Sequence, residues 1–148
     1  ARQYRAVKGL LDAIDAPLLP PFEGSCTPDD EAMTLPMTAI LEPPRDSALL
    51  TKEVFGPLLP VLKVPSVEEA TQIIKSIPTG KPLIGYCYSE DDASVEAFQK
   101  IAAGNIAVNA GPMRFHMNYN VGFGGIGASG TGAALWGKEA FREFSNRK

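Results

Sequence analysis

At 148 residues, 45% hydrophobic and 21% charged, the chain has the make-up of one ordinary globular domain, large enough to bury a core. A net charge of −3, with basic residues scattered rather than striped, argues against nucleic acid as a partner. No apolar run approaches the roughly 18 residues of a membrane span. Two cysteines, Cys26 and Cys87, make neither a disulfide framework nor a metal cluster, so an intracellular location, cytoplasmic or organellar, is expected. No signal segment is read at the amino end, where Ala1 in place of Met leaves processing or truncation open.

In chain order, Tyr4, Val7, Leu10, Leu11 and Ile14 make a helical stripe over residues 2–14, ended by Pro17, Pro20 and Pro21. Residues 22–36 read as a polar loop and 37–42 as a strand closed by Pro43-Pro44. Residues 58–64 form an apolar strand, with Pro60 restricting its start to an edge or entry position. Ser66 caps the next helix, with Glu69 completing a capping box, and Val67, Ala70, Ile73, Ile74 and Ile77 form its inner face. Thr79 to Pro82 turns the chain into a buried strand at 83–88. Ser89 caps a further helix whose Val95, Phe98, Ile101 and Ala102 point inward. Gly104 stops that helix, and 105–109 is a short strand. Strand, helix, strand, helix, strand predicts two crossover units: an α/β fold with a three-layer parallel sheet and crossover helices. A last helix from about Ala134 to Phe144 would be anchored by Leu135, Phe141 and Phe144.

Residues 122–132, Gly-Phe-Gly-Gly-Ile-Gly-Ala-Ser-Gly-Thr-Gly, carry six glycines. Gly125 to Gly130 spells a dinucleotide fingerprint, but no buried strand precedes it and too little chain follows for a second strand. Gly132 to Lys138 has phosphate-loop spacing, but Glu139 stands where a magnesium-binding hydroxyl is needed. Both lookalikes fail on context, leaving a structural glycine loop under a final helix. His116 is the only histidine and reads as structural or surface. Cys87 reads as a core thiol, and Cys26 sits in an acidic loop without a base, so neither is an activated nucleophile and no catalytic residue is assigned. No metal-ligand spacing occurs. Glu53, beside Phe55 and ahead of Gly56-Pro57, is either an acceptor for ligand hydroxyls or a surface carboxylate before a turn.

Several motifs in one order change this picture. Glu53-Val54-Phe55-Gly56-Pro57-Leu58-Leu59-Pro60-Val61 resembles the E-I-F-G-P-V-x-P segment of NAD(P)-dependent aldehyde dehydrogenases. Asn109, and Phe123-Gly124-Gly125 with Gly127, Ser129, Gly130 and Gly132, are similar to that family's N-x and F-G-G-x-G-x-S-G-x-G segments. Gly137-Lys138, Phe141, Phe144-Ser145 and Lys148 resemble its closing motif, most like the short class 3 branch. The resemblance spans 1–148 and implies the C-terminal portion of the catalytic domain, without the coenzyme-binding domain. It implies that Glu53 holds the nicotinamide ribose hydroxyls of NAD or NADP, and that Phe55 packs near the nicotinamide ring. It also implies that Asn109, Phe123, Gly124 and Gly125 border the aldehyde tunnel. Family chemistry is covalent: a cysteine thiolate attacks the aldehyde, hydride passes to the nicotinamide, and water releases the acid. The nucleophile, the general base, the oxyanion-hole asparagine and the Rossmann domain lie upstream of the matched region. Gly122, Ala134-Leu135-Trp136 and Asn146 depart from the family pattern.

Two functions therefore compete. The chain is part of an aldehyde dehydrogenase completed elsewhere and inactive alone, or it is a non-catalytic structural or interaction module derived from one. By itself it is expected to bind neither NAD nor NADP. Its apolar strands predict a homo-oligomer or a larger partner chain, unless residues 2–14 fold back over the exposed face.

Overall fold

A computed structural model describes residues 1–20, 24–78, 81–111, 118, 120–132 and 135–146. The turn at Thr79-Gly80, His116, the helix start at Ala134 and the closing Lys148 lie outside the described residues. Where length predicts one domain, the chain divides into two compact units, Ala1–Lys63 and Val64–Lys148.

In the first unit, helix α1 (Arg2–Asp12) forms over the predicted stripe. Val7 and Leu11, one helical turn apart, are buried, with Leu10 and Ile14 beside them. They pack on Ile40, Leu49 and Leu58, which are the inner faces of β2 (Thr38–Leu41), α2 (Ala48–Thr51) and β3 (Leu58–Val61). Strands β2 and β3 are parallel, and β1 (Leu18–Leu19) adds antiparallel to β2. The order β1-β2-β3 puts Pro60 on an edge strand, where its missing N–H costs no ladder bond. The predicted polar loop has internal order in its described part. Asp29 and Thr34 exchange backbone bonds, and the Asp29 Oδ1 accepts from the Glu31 and Ala32 amides. The Tyr4 hydroxyl donates to Asp30 (2.6 Å), as does the Lys8 Nζ (2.9 Å), which ties this loop to α1. Partial burial of the phenol, together with the bond to Asp30, pushes Tyr4 up to about 12, and the bonds from Tyr4 and Lys8 hold Asp30 below the usual carboxylate range.

In the second unit, the Ser66 Oγ accepts from the Glu69 amide and starts α3 (Val67–Ser76), as predicted. The inner face of α3 packs against α4 (Asp92–Phe98) and is half-buried rather than buried, apart from Thr71. Asp91, not Ser89, caps α4. Its carboxylate accepts from the Ser94 amide (2.9 Å) and hydroxyl (2.6 Å), while the Ser89 Oγ accepts from Asp91 N two residues earlier. A charged acceptor nearer the helix prevails over a neutral hydroxyl. Strands β4 (Ile84–Cys87) and β5 (Asn105–Val108) are parallel, joined through α4. Ile101 is buried as expected, but Ala102 is exposed. A 3₁₀ turn (Gly127–Ser129) and α5 (Gly137–Glu143) follow. The predicted anchors of that helix are a correction: Leu135, Phe141 and Phe144 are 64%, 76% and 88% exposed. A helix of two turns places them in solvent, clear of the unit's core.

The α/β class and the parallel pairing are as expected. The described strands nevertheless form two sheets, β1-β2-β3 and β4-β5, and one crossover runs from β2 through α2 to β3 rather than onward from the 58–64 strand. Among the described residues no helix is long and apolar enough to cross a membrane.

Candidate functional site

The segment before β3 is pinned at several points. Gly56 packs on Val7: a Cβ there would sit 2.6 Å and 2.8 Å from the two Val7 methyl carbons. The Gln3 Nε2 donates to the Phe55 carbonyl oxygen (2.7 Å), and the Thr38 amide donates to Pro57 O (2.9 Å). Val54 turns into the core cluster. The flanking side chains go the other way: Phe55 is 70% exposed, and Glu53 is exposed with no hydrogen bond or ion pair among the described residues. A rigid backbone thus presents a free carboxylate and an aromatic face two residues apart. Gly56→Ala is expected to cost about 1–3 kcal/mol by crowding the fully packed Val7, read as a lowered urea midpoint. An unchanged midpoint would show that the close approach is not what holds the segment.

Asn109 lies just past β5 with a positive φ of 48°. Its amide nitrogen donates to Cys87 O (2.8 Å). The side-chain Nδ2 donates to Ser89 O (2.8 Å), and the Oδ1 accepts from Ser89 N (3.0 Å). Both polar atoms of the side chain are therefore committed to backbone. The first unit repeats the device. Glu42, just past β2 and also at φ 48°, donates its amide to Val61 O (2.8 Å), and its carboxylate accepts from the Lys63 amide. Nothing in the sequence singles out Glu42, whereas Asn109 stands in the motif; both take the left-handed backbone, which Asn tolerates better than Glu.

The glycine run closes on itself. The Gly132 amide donates to Gly125 O (2.8 Å), and the Ser129 hydroxyl both donates to Ile126 O (2.9 Å) and accepts from Ile126 N (3.1 Å). A Cβ on Gly125 would lie 2.1 Å from Ser129 O, so the loop interior is already filled by its own backbone. Phe123 is buried, stacked on Trp136 with centroids 4.6 Å apart and planes 6° apart. In the sequence Trp136 stands out only as a departure from the family pattern. The Asn105 Nδ2 donates to Gly122 O (3.0 Å), and Gly104 abuts Gly124, so Phe123-Gly124-Gly125 sits at the amino end of β5. Asn109 sits at the carboxyl end, four residues or about 13 Å along the strand. Glu53 and Phe55 belong to the first unit, and Asn109 and the glycine loop to the second.

Cys26 is half-buried in its loop and Cys87 is buried in β4; both are free thiols. Among the described residues no three His, Cys, Asp or Glu side chains cluster as metal ligands do.

Short parallel ladders joined by helical crossovers define an α/β chain. Residues 3–148 match the family model described as the aldehyde dehydrogenase family, and the chain belongs to that family. An aldehyde dehydrogenase of Craterostigma plantagineum is 34% identical over 148 residues, covering 99% of this chain and 30% of that protein. Aldehyde dehydrogenase family 3 member H1 of Arabidopsis thaliana is 37% identical over 121 residues, covering 81% of this chain and 24% of that protein. The Arabidopsis protein and further family 3 relatives place the chain on the class 3 side of the family. The substrate-bound structure of Staphylococcus aureus AldH superposes with a TM-score of 0.83 at 32% identity, covering 99% of this chain and 31% of that one. The chain thus spans about 30% of the length of the curated relatives it matches over nearly its whole extent.

Proposed function

We propose that these residues are the C-terminal portion of an NAD(P)-dependent aldehyde dehydrogenase catalytic domain, working with chain that supplies the nucleophilic cysteine and the coenzyme-binding domain. The pinned Glu53–Phe55 pair carries this reading. A free carboxylate can accept both hydroxyls of a ribose, and an exposed ring two residues on can lie against a nicotinamide. These side chains fit the nicotinamide half of the cofactor, whereas the glycine loop does not fit its phosphates. When bound, the cofactor supplies the hydride acceptor; this chain's part is to hold its ribose and orient the ring. The self-closed glycine loop stiffens one wall of the aldehyde channel. Free thiols at Cys26 and Cys87 suit a reducing, intracellular compartment, and the expected partner is a second copy or a larger chain.

The 148 residues alone are expected to show no aldehyde oxidation. With NAD or NADP and a panel of aldehydes, no absorbance of reduced nicotinamide should develop, and calorimetry should show no saturable micromolar heat, because one carboxylate and one ring cannot replace the missing adenosine and pyrophosphate contacts. Turnover abolished by Cys26→Ala or Cys87→Ala would overturn this. The burial of Phe123 under Trp136 favours the second reading, a non-catalytic module. The mass of the native polypeptide separates the two: a longer species with an additional cysteine that forms a covalent adduct with aldehyde supports the enzyme.

A further inference from the structure

Side chains tie together the carboxyl end of the β4–β5 pair. The last rung sets Cys87 opposite Val108, and the Asn109 amide adds one bond to Cys87 O. Beyond it the Asn109 side chain spans to both backbone groups of Ser89 and stands in for a further rung. The Tyr88 hydroxyl then donates to Ala110 O (3.1 Å). Ser89 accepts at its Oγ from Asp91 N, the cap of α4, so the exit of β5 is braced against the start of that helix. The first unit separates the two ties. Glu42 makes the same hook past β2, but among the described residues no phenol reaches the next carbonyl there. A four-residue parallel ladder therefore closes with the hook alone, and Tyr88 fixes something else. The φ of 48° at Asn109 turns the chain out of the strand, and the phenol holds the first carbonyl after that turn.

We propose that Tyr88 is a positioning residue of the aldehyde channel: its hydroxyl fixes the direction in which the chain leaves β5 at Asn109–Ala110, and so the border that the far part of the aldehyde meets. The proposal rests on the functional reading above, which sets Asn109 on that border. In open parallel sheets ligands sit at the carboxyl ends of the strands, and this is that end of β4–β5. The reacting end of the channel belongs to the chain that carries the nucleophilic cysteine. A short aldehyde therefore makes little use of this border, and a long one much, through binding energy remote from its carbonyl.

Two measurements on Tyr88→Phe test it, since the substitution deletes one oxygen and keeps the ring. In the 148 residues alone, hydrogen exchange at the Ser89 and Asn109 amides should quicken about three- to tenfold, the worth of one net hydrogen bond. The thermal midpoint should move by no more than about 3 °C. Unchanged exchange would overturn the proposal, as would a collapse of the midpoint, which would make the phenol a support of the fold. The second measurement joins the chain at Ala1 to the portion of the Staphylococcus aureus relative that precedes its matched part. In that fusion Tyr88→Phe should raise KM for hexanal or benzaldehyde about three- to tenfold more than KM for propanal, and KM for NAD should not follow. A loss of kcat shared by all three aldehydes, or equal changes in KM, would overturn the channel role while leaving the functional reading intact. An unsubstituted fusion that is unfolded or oxidises no aldehyde overturns the functional reading, and the channel role with it.

Discussion

Gly104→Ala is expected to unfold the second unit. The added methyl would lie 2.2 Å from Gly124 O and 2.7 Å from Leu83 O. Both are backbone atoms, and Leu83 O is held in place by the Asn105 amide at 3.0 Å. A side chain in the way could change rotamer; a carbonyl in a ladder moves only if the strand moves. The cost should exceed about 3 kcal/mol, a large part of the roughly 5–15 kcal/mol that holds a domain together. The thermal midpoint should fall by more than about 10 °C, or the cooperative transition should vanish. The same substitution at Gly9, on α1 with nothing within 4 Å of its Cβ, should instead stabilise by up to about 1 kcal/mol. If both glycines respond alike, the close approach of Gly104 to the Gly124 loop is wrong.

Ile40→Ala should carry the largest penalty in the first unit. Ile40 is 0% exposed and stands at the centre of the cluster formed by Val7, Leu11, Leu49 and Leu58. Removing three carbons from a site walled by a helix on one side and strands on the other leaves a cavity that cannot collapse. About 3 kcal/mol is expected, seen as a lower denaturant midpoint at unchanged slope. Leu59→Ala, on the opposite face of the same sheet, should stay within about 0.5 kcal/mol in the free chain. Equal costs at the two positions would mean that the core lies elsewhere.

What the sequence made legible was local. The α1 stripe, the Ser66 cap and the strands around Ile40, Leu58, Tyr86 and Ala107 follow from periodicity and short-range hydrogen bonding, which a single segment displays. Misjudged features depended on distant neighbours. Leu135, Phe141 and Phe144 have the spacing of a buried face, but spacing cannot tell whether anything lies opposite. The two-residue strand Leu18–Leu19 is too short to show alternation. The β2–β3 crossover was hidden because α2 is a single turn. At the site, the motif drew attention to Glu53 and Phe55, and their outward presentation follows from Val54 turning in. The separation of Asn109 from Phe123 along β5 was not legible, since sequence proximity to a strand does not say which end a loop returns to.

The paired hooks of Glu42 and Asn109 bear on how these ladders respond to force. Each parallel pair is only four residues long, and each is bolted at its carboxyl end by a side chain spanning to the neighbour two positions beyond the last rung. A load that peels the strands apart from that end meets the bolt before any rung yields. From the amino end the rungs give way one at a time. Each ladder is thus a zipper with one end sewn shut, and sliding by one residue, the common failure of short strands, requires the stitch to be cut first.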